Sequence, residues 1–178
     1  MINPDVLPVE TRGSQARKTG SWTLDLGGIA KGYAVDCAVD SIRRLTAGMN
    51  VSGSISAGGD LRVWGEDDAS VMIRVQRENS LSGSYPMKMS HTAAATSSVR
   101  QSSDLETLSA AAHVQMPSGD LLRETKTVTV FADRCVLADA LTKIVLLGSA
   151  DMAARCLSSY QARALVFGSD GRLEKALS

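Results

Sequence analysis

From Met1 to Gly20 the chain is polar and shows no helical or strand period, so this stretch reads as a tail or linker. Trp22 to Leu26 reads as a short strand that ends at Gly27-Gly28. Beyond it Ile29, Ala30, Tyr33, Ala34, Cys37, Ala38, Ile42 and Leu45 fall at helical spacing. That spacing predicts a helix from about Ile29 to Ala47, with Gly48 as its stop. Val51–Ser56 and Leu61–Trp64 read as strands on either side of an Ala57-Gly58-Gly59-Asp60 turn, and Gly65–Asp68 as a loop. Val71–Val75 alternates, with Val71, Ile73 and Val75 on one face. A polar loop from Glu78 to Ser84 precedes Tyr85–Ala95, which has the composition of one or two strands.

Thr96–Thr107 is rich in Ser and Thr and reads as a loop. Leu108–Val114 reads as a strand broken by Pro117-Ser118-Gly119. Lys126–Phe131 sets Thr127 and Thr129 against Val128 and Val130, the alternation of a strand. Asp133 stands where an N-cap would open a helix from Arg134 to Leu147, which Gly148 stops. Ser149 is placed to cap a second helix to Ser158. Ala164–Phe167 is a last strand, followed by a Ser169-Asp170-Gly171 turn. This order lacks the regular βαβα alternation of a doubly wound fold. It predicts an α+β domain over residues 21–178, a mixed, mostly antiparallel sheet with helices packed on it.

A chain of 178 residues is long enough to bury a core without staples. Aromatic residues are only 4 %, so that core is built from Ala, Val, Leu, Ile and Met. The 19 basic and 19 acidic residues cancel, which leaves no electrostatic footprint for nucleic acid or an anionic membrane. The most apolar run, Ile144–Leu147, is far short of the ~20 residues that cross a bilayer. Met1–Glu10 lacks the basic start and apolar stretch of a signal peptide. The chain as written reads as cytoplasmic, or as a piece of a longer protein that could carry a periplasmic or membrane-anchoring signal. Cys37, Cys135 and Cys156 are far apart and have no zinc or redox spacing, and Cys37 and Cys135 read as small core residues.

Leu24-Asp25-Leu26-Gly27-Gly28-Ile29-Ala30-Lys31-Gly32-Tyr33-Ala34-Val35-Asp36 carries the clearest chemistry. A strand, a diglycine turn and a helix start bring free N–H groups together where an anion is favoured. Lys31 adds a cation at the end of the helix whose dipole disfavours one. It implies a bound anion or a nearby carboxylate; the alternative is a solvated lysine on an ordinary connection.

This segment closely resembles the D-L-G-G-I-A-K-G-Y-A-V-D motif of the FAD:protein FMN transferases, the ApbE family. Three further resemblances follow in family order. Ser56-Ala57-Gly58-Gly59-Asp60-Leu61-Arg62 is similar to N-A-G-G-D-hydrophobic-R, Ala93-Ala94-Ala95-Thr96-Ser97-Ser98 to A-x-A-T-S-G, and Ala138-Asp139-Ala140-Leu141 to the start of an A-D-A-L-x-T-A helix. The resemblance implies binding of FAD with a divalent metal, usually magnesium. It implies transfer of FMN to a Thr or Ser hydroxyl of a target protein, such as a redox subunit, with release of AMP. It implies that Gly28, Ala30, Lys31, Asp36, Gly58, Gly59, Asp60 and Thr96 contact the nucleotide. Asp139, Thr142 and the Ala30 carbonyl would hold the metal, and His113, in a segment similar to H-x-x-D-P-x-T/S-G, would be the general base. His91 has no such context.

Three departures stand out. Met116 replaces the Asp of the histidine motif. Four residues after Asp139, where the family has a hydroxyl, stands Lys143, and Thr142 is one position earlier, about 100° away around the helix axis. The ammonium of Lys143 falls where magnesium would sit, which favours metal-free phosphate binding or an inactive relative; a surface i,i+4 pair of Asp139 with Lys143 is the plain alternative. Family members also carry roughly a further domain before the diglycine motif, so a missing N-terminal segment or a partner chain would complete the site. The readings to separate are a transferase, an FAD- or nucleotide-binding module, and a ligand-free partner of a redox assembly.

Overall fold

The computed structural model describes residues 9–21, 26–75, 83–99 and 125–178. Strands β1 (Val9–Arg12) and β2 (Gln15–Lys18) pair as an antiparallel hairpin where the sequence reads as a tail or linker. Residues 10–18 are all exposed, so no buried face exists for a hydrophobic period to report. Helix α1 (Ala30–Leu45) is followed by β3 (Gly53–Ala57), β4 (Asp60–Trp64), β5 (Ala69–Val75), β6 (Gly83–Met89) and β7 (Ala93–Val99). Then come β8 (Lys126–Ala132), α2 (Cys135–Leu147), α3 (Ala150–Ser159), β9 (Arg163–Phe167) and β10 (Leu173–Leu177).

Gly58 and Gly59 take φ of +60° and +100°, which closes β3 on β4 with Ala57 opposite Asp60. Two consecutive positive φ angles are what a tight two-residue hairpin turn requires. The strands then form a six-stranded sheet in the order β10-β9-β8-β7-β4-β3, with every neighbouring pair antiparallel. Strands β5 and β6 form a separate hairpin. The architecture is α+β, as the pattern predicts.

Period-two alternation divides the sheet into two faces. On one, Ala95, Val128, Val130, Ala164 and Val166 pack with Ala138 and Leu141 of α2 and Leu157 of α3. On the other, Val63, Ala94, Phe131 and Phe167 meet Val71, Ile73, Val75 and Met89 of the β5–β6 hairpin. The layers are therefore helices, sheet and hairpin.

Helices α1 and α2 cap each other. Both oxygens of Asp36 accept hydrogen bonds from the start of α2, Oδ1 from Cys135 N and Oδ2 from Val136 N, each at 3.0 Å. In return, Asp139 Oδ2 accepts from Gly32 N, in the first turn of α1, at 3.2 Å. Each carboxylate thus meets the positive end of the other helix's dipole and satisfies otherwise orphaned N–H groups. Gly32 makes the crossing possible, because a Cβ there would collide with the Cys135 carbonyl.

These contacts correct several readings. Asp133 is exposed and α2 has no side-chain cap of its own; the cap comes from Asp36, distant in sequence. The buried face of α1 is Gly32, Val35, Asp36 and Val39, not the apolar stripe of the sequence. Tyr33 is 60 % and Leu45 83 % exposed, and Cys37 is at the surface rather than in the core. A Gly and an Asp are buried by helix crossing, which a count of apolar residues does not register. Thr96–Val99 extend β7 rather than forming a loop, and β10 has no counterpart in the prediction. Ser149 does cap α3, accepting from Met152 N. The predicted strand Leu108–Val114 lies outside the described residues, as does Trp22–Asp25 of the first predicted strand.

Candidate functional site

The first turn of α1, the β3–β4 turn and the second and third turns of α2 converge on four charged side chains. Lys31 Nζ lies 3.0 Å from Asp60 Oδ2 and 3.6 Å from Asp139 Oδ2. Lys143 Nζ bonds Asp139 Oδ1 and also donates to the Asp139 carbonyl at 3.1 Å. The carboxylates are buried, Asp139 at 0 % exposure, whereas the lysine side chains remain 46 % exposed at Lys31 and 24 % at Lys143. Two cations thus face outward over two anions beneath them. The Asp139–Lys143 pair expected on a helix surface does form, with its acid buried. The unusual cation at the start of α1 has its nearby carboxylates.

Burial raises the Asp60 carboxyl above the ordinary range; Lys31 partly offsets this, and the neighbouring Asp139 carboxylate adds to it. Lys31 moves the other way from its burial: desolvation lowers it, but pairing with Asp60 and Asp139 outweighs that and its pKa is raised.

Glycines flank both lysine stems. A Cβ on Gly28 would lie 3.6 Å from Lys143 Cε, and one on Gly58 3.6 Å from Lys31 Cδ. Ala30 opens α1 at the surface, its N–H bonded to the Leu26 carbonyl at 2.9 Å. Gly59 sits beside the Thr96 carbonyl.

Three residues of the expected site are engaged elsewhere. Asp36 is fully buried, spent on the start of α2 and on Arg62 at 2.9 Å and Arg134 at 3.4 Å. Thr96 pairs its hydroxyl with Thr129 at 2.9 Å. It lies on the sheet face opposite Ser97, whose hydroxyl bonds Thr142 of α2. Thr142 is buried, 2.7 Å from Ser97 Oγ and 2.7 Å from the Asp139 carbonyl that accepts from it. His113, Met116, Pro117 and Gly119 lie outside the described residues.

A magnesium ion does not fit these residues. It takes near-octahedral oxygen ligation. Both oxygens of Asp139 are already held, by Lys143 on one side and by Gly32 N and Lys31 on the other, and Thr142 is turned into the sheet. Among the described residues no group of three or more His, Cys, Asp or Glu is placed to hold a metal ion.

Sequence reasoning missed Arg62, Arg134, Asp40 and Ser97. Arg62 ties Asp36 to Asp40, at 2.9 and 3.3 Å. Its place at the end of the Gly58-Gly59-Asp60 motif was the available signal.

The site thus sets two lysines beside two glycine turns at a helix start, within an α+β fold. The model of the ApbE family matches residues 2–167. The chain belongs to the ApbE family. Several solved structures share its fold. The flavin transferase ApbE of Vibrio cholerae is 22 % identical with a TM-score of 0.75, over 96 % of this chain and 56 % of that one. The apo flavinyl transferase ApbE of Pseudomonas stutzeri is 20 % identical with a TM-score of 0.69, over 96 % and 56 %. The ApbE protein of Thermotoga maritima is 24 % identical with a TM-score of 0.71, over 94 % and 56 %. The chain therefore spans little more than half the length of these relatives. Curated proteins yield no match.

Proposed function

We propose that this chain carries the nucleotide-binding half of a flavin transferase that moves FMN from FAD onto a Thr or Ser hydroxyl of a target protein. One observation carries the reading: the partly exposed ammonium groups of Lys31 and Lys143 stand together over buried carboxylates at the start of α1. Lysine acts as a point charge toward phosphate, and the charge falls to the lysines because the Ala30 and Gly32 N–H groups at the start of α1 already bond the Leu26 carbonyl and Asp139. Family membership supplies the flavin.

In the proposed reaction the target hydroxyl oxygen attacks the FMN phosphorus of FAD. The P–O bond to the AMP half breaks, AMP leaves, and the hydroxyl proton passes to a base, the role the family resemblance gives His113. Lys31 and Lys143 would hold the pyrophosphate and offset the charge that gathers on the leaving phosphate. Gly28, Gly58 and Gly59 would let it approach the backbone. Asp139 and Thr142 are otherwise engaged, so the lysines alone would meet the phosphate charge. The family also implies a flavin-accepting partner, such as a redox subunit, whose identity would rest on surfaces outside this site.

A second reading is favoured by the Lys143–Asp139 contact: a module that binds FAD and does not transfer it. The purified chain is incubated with FAD and a hydroxyl-bearing target peptide, and AMP is followed by chromatography while bound flavin is followed by fluorescence. Saturable binding with AMP release supports the transferase. Binding without AMP favours the module. Absence of binding overturns both.

A further inference from the structure

Asp139 and Lys143 lie one helical turn apart, and their contact is supplied by α2 itself. The Lys143 ammonium sits on Asp139 Oδ1 and is tied back to the Asp139 carbonyl at 3.1 Å. The other oxygen is taken by Gly32 N at 3.2 Å and approached by Lys31 at 3.6 Å. A free divalent cation would have to displace a tethered ammonium from a fully buried carboxylate and shed its own water as well. It would gain no hydroxyl in exchange, since Thr142 bonds Ser97 at 2.7 Å. Lys143 keeps its outer side open and its stem beside Gly28, so a phosphate oxygen can reach the charge that Asp139 holds in place.

We propose that Lys143 is a built-in replacement for the divalent cation, so that this site engages a nucleotide pyrophosphate without any metal. The proposal rests on the nucleotide reading above for its ligand, and on geometry alone for the exclusion of metal. An ammonium carries one charge and no coordination sphere. It can position and neutralise a phosphate oxygen, but it does not polarise one as a Lewis acid does. The site thereby trades part of its catalytic strength for binding that is indifferent to the metal supply.

Two measurements on the full chain test this. The first uses manganese alone, titrated by electron paramagnetic resonance, and needs no nucleotide. Wild type is expected to bind no manganese at Asp139. Lys143→Ala is expected to gain one site, which the further change Asp139→Asn removes. Lys143→Ser, which restores a hydroxyl at this position, is expected to behave like Lys143→Ala and serves if the alanine variant does not fold by circular dichroism. The second is FAD affinity by flavin fluorescence in EDTA and in magnesium. Wild type is expected to show the same affinity in both. Lys143→Ala is expected to weaken by about tenfold in EDTA and to recover with magnesium. Manganese binding by wild type that Asp139→Asn abolishes would overturn the proposal. So would a folded Lys143 variant that gains no manganese site, or an EDTA-sensitive FAD affinity in wild type. Failure of FAD to bind in any condition would remove the flavin reading, and the manganese result would still decide the exclusion of metal.

Discussion

Replacing Asp36 by Asn changes one oxygen to NH2 at the place where the two helices hold each other. The carboxylate accepts three hydrogen bonds, from Cys135 N and Arg62 Nη1 on Oδ1 and from Val136 N on Oδ2, and Oδ2 also pairs with the Arg134 guanidinium at 3.4 Å. An amide offers one oxygen, and whichever way it flips its nitrogen would face a backbone N–H of α2 and a guanidinium. An unpaired buried donor costs about 1–3 kcal/mol, and breaking a buried ion pair about 3–5 kcal/mol. Arg62 keeps Asp40 at 3.3 Å, which returns part of this. The expected loss is about 3–4 kcal/mol, a large share of the ~5–15 kcal/mol that holds a domain together. With an m-value of about 2–3 kcal/mol per M in urea, the unfolding midpoint should fall by about 1–2 M in circular dichroism at 222 nm. The affinity of the folded fraction for FAD should not change. A midpoint within about 0.3 M of wild type, or a weakened FAD affinity at unchanged stability, would refute the reasoning and return Asp36 to the nucleotide.

Two further outcomes follow from the same crossing. Gly32→Ala is expected to destabilise by several kcal/mol on urea unfolding, because its Cβ meets backbone atoms of Cys135 and Val136 that cannot move without dragging α2; a loss below about 1 kcal/mol would show that the helices can separate freely. Burial raises the Cys135 thiol from 9.0 to about 12, so between those pH values the unfolded thiol ionises and the folded one does not. Stability present below pH 9.0 is then lost as pH rises, by about 1.4 kcal/mol per unit from this group. Cys135→Ala should remove that slope, and the exposed Cys37 should react with iodoacetamide while native Cys135 does not.

Most strands and helices were legible because residue types alternate or repeat along them with the period of the element. Lys126–Ala132 shows this best: its valines meet the helices and its threonines the hydroxyls of Thr96 and Ser98. The buried face of α1 was not legible. It contains a Gly chosen for closeness and an Asp chosen for a distant helix end, and neither is apolar. The site was half legible. Its motifs brought Lys31, Asp60, Asp139 and Lys143 to notice, and the structure joins all four. Spacing could not say that Thr142 faces Ser97, which depends on how α2 is rotated over β7, or that Thr96 lies on the other side of the sheet, which follows from β7 running on to Val99 against β8.

The most direct test is an FAD titration of the full chain by flavin fluorescence, run in parallel on Lys31→Gln shown to be folded by circular dichroism. Saturable quenching by wild type, weakened by about tenfold or more in the variant, is the expected result. No quenching by wild type, or equal affinity in the two proteins, would contradict the placement of a flavin nucleotide at the paired lysines.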